Sequence, residues 1–366
     1  MVKMVNCKQL ASRRLAVSAI IALGTSAAGA LPVSAASVNP WSIGVVSLGN
    51  IGSSTKPYTA DFQGSAAAVG DAYFSSFSLD SGTNSPSGGY SYYGGGNFSL
   101  DGGTVYRGGV QTTGNITLTS GGINGNLDAG GSLFGSGGQV SGNAILGGTN
   151  QSSLNSGVTV TGKTSTGQMY NPAFQVSSLT SFFNGASAAY NQAADAGYTD
   201  QYGAATIDIS KLGLGTHYVT IPGSVLAGDY GVTVTGVAGQ TLIINVTGAT
   251  VNLGSLAFSY HGITQSNVLV NTDATNLTIN GGNSFGSGYD LLAPTAAVDY
   301  ISGSFYGELV VGSLMGGGEQ DGGPSFAPPV GPVAIPAGPL PVPADGALVA
   351  AGLVGLAALK LLRQRI

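Results

Sequence analysis

The chain has 366 residues, of which 62 are glycine and one is cysteine, and only 7% are charged. Ordinary globular proteins carry about 7% glycine and about 25% charged residues, so this composition excludes a coiled coil, a disulfide scaffold and a conventional helical enzyme. Four of the 11 basic residues lie in the first 14 positions and three in the last seven, leaving four in a body that holds all 16 acids; such a surface repels phosphate backbones and excludes a nucleic-acid binder.

The first 14 residues are basic and residues 15–23 are apolar. Small residues follow, ending in Val33-Ser34-Ala35-Ala36. This order predicts a secretory signal peptide, residues 1–35, cut between Ala35 and Ala36. Cys7 leaves with it, so the mature chain has no cysteine and no disulfide.

Residues 36–326 read as short strands separated by glycine turns. Thr117-Leu118-Thr119, Val158-Thr159-Val160-Thr161, Val232-Thr233-Val234-Thr235, Val268-Leu269-Val270 and Leu277-Thr278-Ile279 alternate with period two, the pattern of half-buried strands. Gly-Gly and Gly-Asn pairs supply tight turns between them. Phe77-Ser78-Leu79-Asp80 recurs as Phe98-Ser99-Leu100-Asp101, and a loose period near twenty suits a β-solenoid; a β-sandwich is the competing architecture. One helix interrupts the strands at about residues 171–196. Asn171 is its cap and Pro172 its first position; Phe174, Leu179, Phe182, Phe183, Ala186, Tyr190 and Ala193 form an apolar face.

Apparent catalytic motifs fail on context. Gly157 to Thr164 matches the phosphate-loop pattern, but its middle alternates like a strand and no helix opens after it. Gly282-Asn283-Ser284-Phe285-Gly286 matches the serine-hydrolase elbow, yet His217 and His261 both precede it. Asp80, Asp101 and Asp128 are scattered acids that read as a solvated surface, with calcium between them as the alternative, and no zinc-type cluster is present in the sequence. No catalytic, cofactor-binding or metal residue is assigned. The Thr117/Thr119 and Thr159/Thr161 pairs are where a flat threonine face would lie.

Residues 327–344 are a stiff proline-rich linker. Residues 345–366 read as a transmembrane anchor: an uncharged apolar run, then Lys360, Arg363 and Arg365. Val342-Pro343-Ala344, the apolar run and the three basic residues together resemble the PEP-CTERM sorting signals, in the Val-Pro-Leu-Pro-Ala variant. That resemblance implies a Gram-negative envelope, an exosortase-type membrane enzyme as partner and association with extracellular polysaccharide.

The body resembles the choice-of-anchor A family of bacterial surface domains. The residues that carry the likeness are Asn267-Val268-Leu269-Val270-Asn271-Thr272, Leu291-Leu292-Ala293-Pro294, Gly303-Ser304-Phe305-Tyr306-Gly307 and Gly317-Gly318-Glu319. Thr272 and Gln320 depart from the family's usual phenylalanine and histidine. The resemblance implies an adhesive domain and transfers no catalytic residue. The expectation is therefore an exported, non-catalytic adhesin or matrix protein without a cofactor; the alternatives are a carbohydrate-active lyase or hydrolase on a β-helix and an ice- or surface-binding protein.

Overall fold

The computed structural model describes residues 38–82, 89–150, 157–172, 175–228, 230–281 and 287–329. The fold is mostly β and is built on a curled parallel sheet. Val45–Ser47 starts it. Ala66–Ala68, Tyr90–Gly94, Gly109–Thr112, Leu127–Ala129, Ala144–Leu146 and Thr164–Ser165 then add on one side in chain order. The chain restarts at the far edge with Gly215–Pro222, and Gln240–Thr247, Val268–Thr272, Asp290–Ser302 and Leu309–Gly316 grow back toward the start. The last of these pairs with the first strand, Val45 against Leu309 and Ser47 against Val311. Asp290–Ser302 shows the curl directly: it pairs with Val268–Thr272 through Leu291 and with Asn276–Asn280 through Val298, and its register shifts at Pro294-Thr295.

Besides the two-stranded pair of Ser304–Phe305 and Glu319–Gln320, two further sheets are present. One runs through Ala72–Leu79, Phe98–Val105, Ile116–Thr119 and Leu133–Ser136; the other holds Thr199–Gln201, Ala204–Asp208, Gly231–Thr235 and Ala257–His261. Alternation sends every second side chain inward, where equivalent positions stack. Ala72, Phe98, Ile116 and Leu133 form one buried column, and Leu79, Val105, Ile123 and Val140 another. Each Val, Leu, Ile or Phe in them contributes about 1.5–3 kcal/mol by burial, which lets a chain poor in charges hold together.

The repeat seen in the sequence is not the repeat of the register. Phe98 stands beside Ala72, and Phe77 stands beside Gly103. Gly103 has φ +94°, and a Cβ there would run into the Phe77 carbonyl oxygen; the glycine lets two strands approach at a bend. The true spacing is written in the turns. The side-chain oxygens of Asn50, Asp71, Asn97, Asn115 and Ser132 each accept from the backbone N–H of the next member, ending at Thr149, at intervals of 21, 26, 18, 17 and 17 residues.

The helix is shorter than the sequence suggests. It spans Ser178–Tyr190, with Ser177 as its cap and Asn191 closing it. Asn171 and Pro172 lie before it in neither helix nor strand, Phe174 lies outside the described residues, and Ala193 falls beyond the helix end. Leu179 and Phe183 are buried against the outer side of the long sheet, in a second core with Ile43, Val46, Leu269, Leu292 and Val310. Trp41 meets Phe183 edge-on at 5.0 Å and Phe326 at 5.2 Å. Packing rather than a capping box sets the helix bounds.

No helix among the described residues is long and apolar enough to cross a membrane. The signal cleavage pair Ala35 and Ala36 lies outside the described residues, as do the sorting residues Val342, Pro343, Ala344, Lys360, Arg363 and Arg365 and the anchor segment 345–366.

Candidate binding surface

The four-stranded sheet presents an ordered polar row. Thr199 lies opposite Thr206 across the antiparallel edge, and Thr206, Thr233 and Ser259 are neighbours in the parallel register. Ala205, Val232 and Phe258, one residue away, point into the core, so the four hydroxyls share the outer face. Strand spacing sets them about 4.8 Å apart. A second row of Asp208, Thr235 and His261 lies two residues further on.

Apolar side chains frame this face at both ends. Tyr202 is 101% exposed and Tyr230 is 81% exposed. They belong to the same rim, since the Tyr230 N–H donates to the Gly203 carbonyl at 2.8 Å. Leu212, Leu214 and Val237 are exposed beyond the other ends of these strands. Hydroxyls at regular spacing beside exposed phenol rings can hydrogen-bond and stack against an extended polar surface.

The threonines singled out from sequence do not make such a row. Thr117 stands between Ser99 and Phe134, Thr119 between Asp101 and Ser136, and Thr159 beside Gln139. The row that does form includes Thr233, which the alternation marked only as a strand residue. Its neighbours Thr206 and Ser259 sit in different rungs and could be matched only by knowing the register.

A second concavity lies over another sheet. It encloses about 600 Å³; Asn276, Thr278, Ala297, Asp299 and Met315 form its floor, and Lys56 stands at its side. A smaller cavity of about 280 Å³ lies between helix and sheet. Its polar groups satisfy one another: Ser187 donates to Asn271 Oδ1 at 2.7 Å, Asn271 to Asn245 Oδ1 at 2.8 Å, and Asn245 to the Tyr190 carbonyl at 3.0 Å. That network docks the helix.

His217, Asp80 and Asp128 are held in internal hydrogen bonds. His217 Nδ1 lies 2.9 Å from Asp195 Oδ2 and Nε2 lies 2.7 Å from the Gly213 carbonyl. Two acceptors call for a proton on each nitrogen. Burial pulls the imidazole pKa down, but the Asp195 carboxylate and the Gly213 carbonyl outweigh it and the value ends above the ordinary one. Asp80 is raised by burial, although Ser91 donates to it at 2.8 Å. Asp128 is likewise raised by burial despite its bond from Gln111 at 3.0 Å. Asp101 is exposed on its own strand. Among the described residues no three of His, Cys, Asp and Glu converge on a metal position. The phosphate-loop look-alike contains the strands Thr159–Val160 and Thr164–Ser165; the serine elbow at 282–286 lies outside the described residues.

The described residues thus combine a mostly β scaffold with an ordered polar row on one sheet face. The chain belongs to the family described as "Putative Ice-binding-like adhesive domain", whose sequence profile matches residues 44–322. No curated protein and no solved structure matches the chain.

Proposed function

We propose that the protein is an exported, non-catalytic adhesin, a β-solenoid of the choice-of-anchor A type. In this reading the face of Thr199, Thr206, Thr233 and Ser259 holds extracellular polysaccharide or another surface ligand, with Tyr202 and Tyr230 stacking at its rim. The observation that carries the reading is that ordered hydroxyl row, exposed at Thr199, Thr206 and Ser259 and half-buried at Thr233, in a chain of an adhesive family. Adhesive function fits delivery beyond a Gram-negative envelope by the signal peptide, and a PEP-CTERM-like tail handled by an exosortase-type enzyme with its helix in the membrane. The acidic body fits a partner other than nucleic acid.

Glycan-array binding and whole-cell attachment with residues 36–327 test the proposal. Binding should fall at least tenfold, roughly 1.4 kcal/mol, when Tyr202 and Tyr230 are both changed to alanine. Release of product from any polysaccharide would favour the carbohydrate-active alternative. A second reading, ice binding, is favoured by the family's description together with the same hydroxyl row. It expects inhibition of ice recrystallisation that is lost in a T206V/T233V variant.

A further inference from the structure

Asp290 and Glu308 are side by side and buried. Leu291 is the register partner of Leu309, so the residues preceding them are adjacent on neighbouring strands, about 4.8 Å apart. Asp290 is 0% exposed and Glu308 3%. The Glu308 N–H donates to Asp290 Oδ1 at 2.7 Å, while Asp290 Oδ2 and both Glu308 carboxyl oxygens have no hydrogen-bond partner. Burial raises both carboxyl pKa values well above the ordinary range, and for Glu308 the neighbouring Asp290 adds to it.

The C-terminal segment 322–329 closes over this place. The Gly307 N–H donates to the Gly322 carbonyl at 2.6 Å and the Ala327 N–H to the Ser266 carbonyl at 2.7 Å. Phe326 enters the second core against Trp41 and Tyr190. Its backbone N–H faces the Glu308 carboxyl and favours the ionised form, without meeting hydrogen-bond geometry.

No cation comes with the covering elements. Residues 38–43, 178–190, 264–267 and 322–329 contain no Lys, Arg, His, Asp or Glu. Tyr190 is their one titratable side chain, and burial pushes it up to about 12. Tyr260, which feels Asp290, is raised by burial and stays neutral. Glu319 and Asp321, the acids just before the covering segment, engage Gln63 and each other. A buried anion with no counter-charge is relieved by hydration or by a proton.

We propose that Asp290 and Glu308 form a proton-held latch: the segment 322–329 stays docked while the pair is protonated and lifts when the pair ionises. The inference goes beyond the adhesive reading and does not depend on any ligand. It makes the junction between the body and the proline-rich linker sensitive to the acidity around the protein. Protons bound by the folded chain and absent from ordinary unfolded carboxylates mean that docking weakens as pH rises above about 4.

The test uses the full chain, with Trp41 as its single tryptophan reporter, together with amide exchange. Between about pH 5 and about pH 9, Trp41 emission should shift to longer wavelength. The protection factor of the Ala327 amide should fall at least about tenfold, while core strands keep theirs. A D290N/E308Q variant should lose this pH dependence, and F326A should show the released signal throughout. Wild-type emission and Ala327 protection that do not change with pH would overturn the latch, whether or not the double variant folds. Docking that persists at high pH only with added calcium would assign the pair to a cation and also overturn it. Either result leaves glycan binding untouched, so the adhesive proposal stands or falls separately.

Discussion

His217 is held between Asp195 and the Gly213 carbonyl. Its raised pKa contributes stability that is fully present below the unfolded value of about 6.5 and is lost as pH rises through the folded value. For Asp195, burial pushes the carboxyl up, but the Tyr218 N–H and His217 outweigh it and the value ends low. Its share is therefore present above about 3.8 and is lost as pH falls below that. H217N should accordingly lower the melting temperature most between about pH 4 and about pH 6.5 and little near pH 9, as pH-resolved calorimetry would show. The sequence displayed His217 as a lone histidine. Its partner Asp195 lies 22 residues away on the segment that follows the helix, and no local pattern announces such a pairing. Thr272 and Gln320, where the sequence departs from the choice-of-anchor A pattern it resembles, are buried polar positions. Thr272 donates to the Val246 carbonyl at 2.8 Å and Gln320 Nε2 to the Gly307 carbonyl at 2.7 Å.

Among the elements, strands were legible and the helix only in part. Period two places Val232, Val234, Leu277 and Ile279 inside, and all four are buried. The Asn171-Pro172 signal misplaced the helix start because local capping preference is worth about 1 kcal/mol. The contacts of Leu179 and Phe183 with Trp41 and the sheet outweigh it. F183A should cost about 3–5 kcal/mol, read by chemical denaturation, with Trp41 emission shifting in the native state. The Phe77 and Phe98 recurrence misled for a related reason. Similar words in two rungs need not stand opposite each other, and register is decided by which side chains the core accepts. The polar steps from Asn50 to Thr149 mark rung length better than the apolar motifs do, since each must bond the next turn's N–H.

For the whole molecule, the order of strands could not be read from sequence. The long sheet grows from Val45–Ser47 in one direction, and the second half returns to the same strand from the other. Val45–Ser47 is therefore central, flanked by Ala66–Ala68 and by Leu309–Gly316. A fragment covering residues 36–170 loses that second flank and the helix over it. It should expose a bare apolar edge and elute as aggregate in size-exclusion chromatography, whereas residues 36–329 should elute as a folded species.

That closure has a price in time. Val45 emerges from the ribosome long before Leu309, the residue that seals its open side. At roughly 5–20 residues per second, the first strand waits on the order of tens of seconds for its mate. A nascent chain of this kind cannot finish this sheet piece by piece as it is made, and until the last strands arrive the edge of Val45–Ser47 stays open.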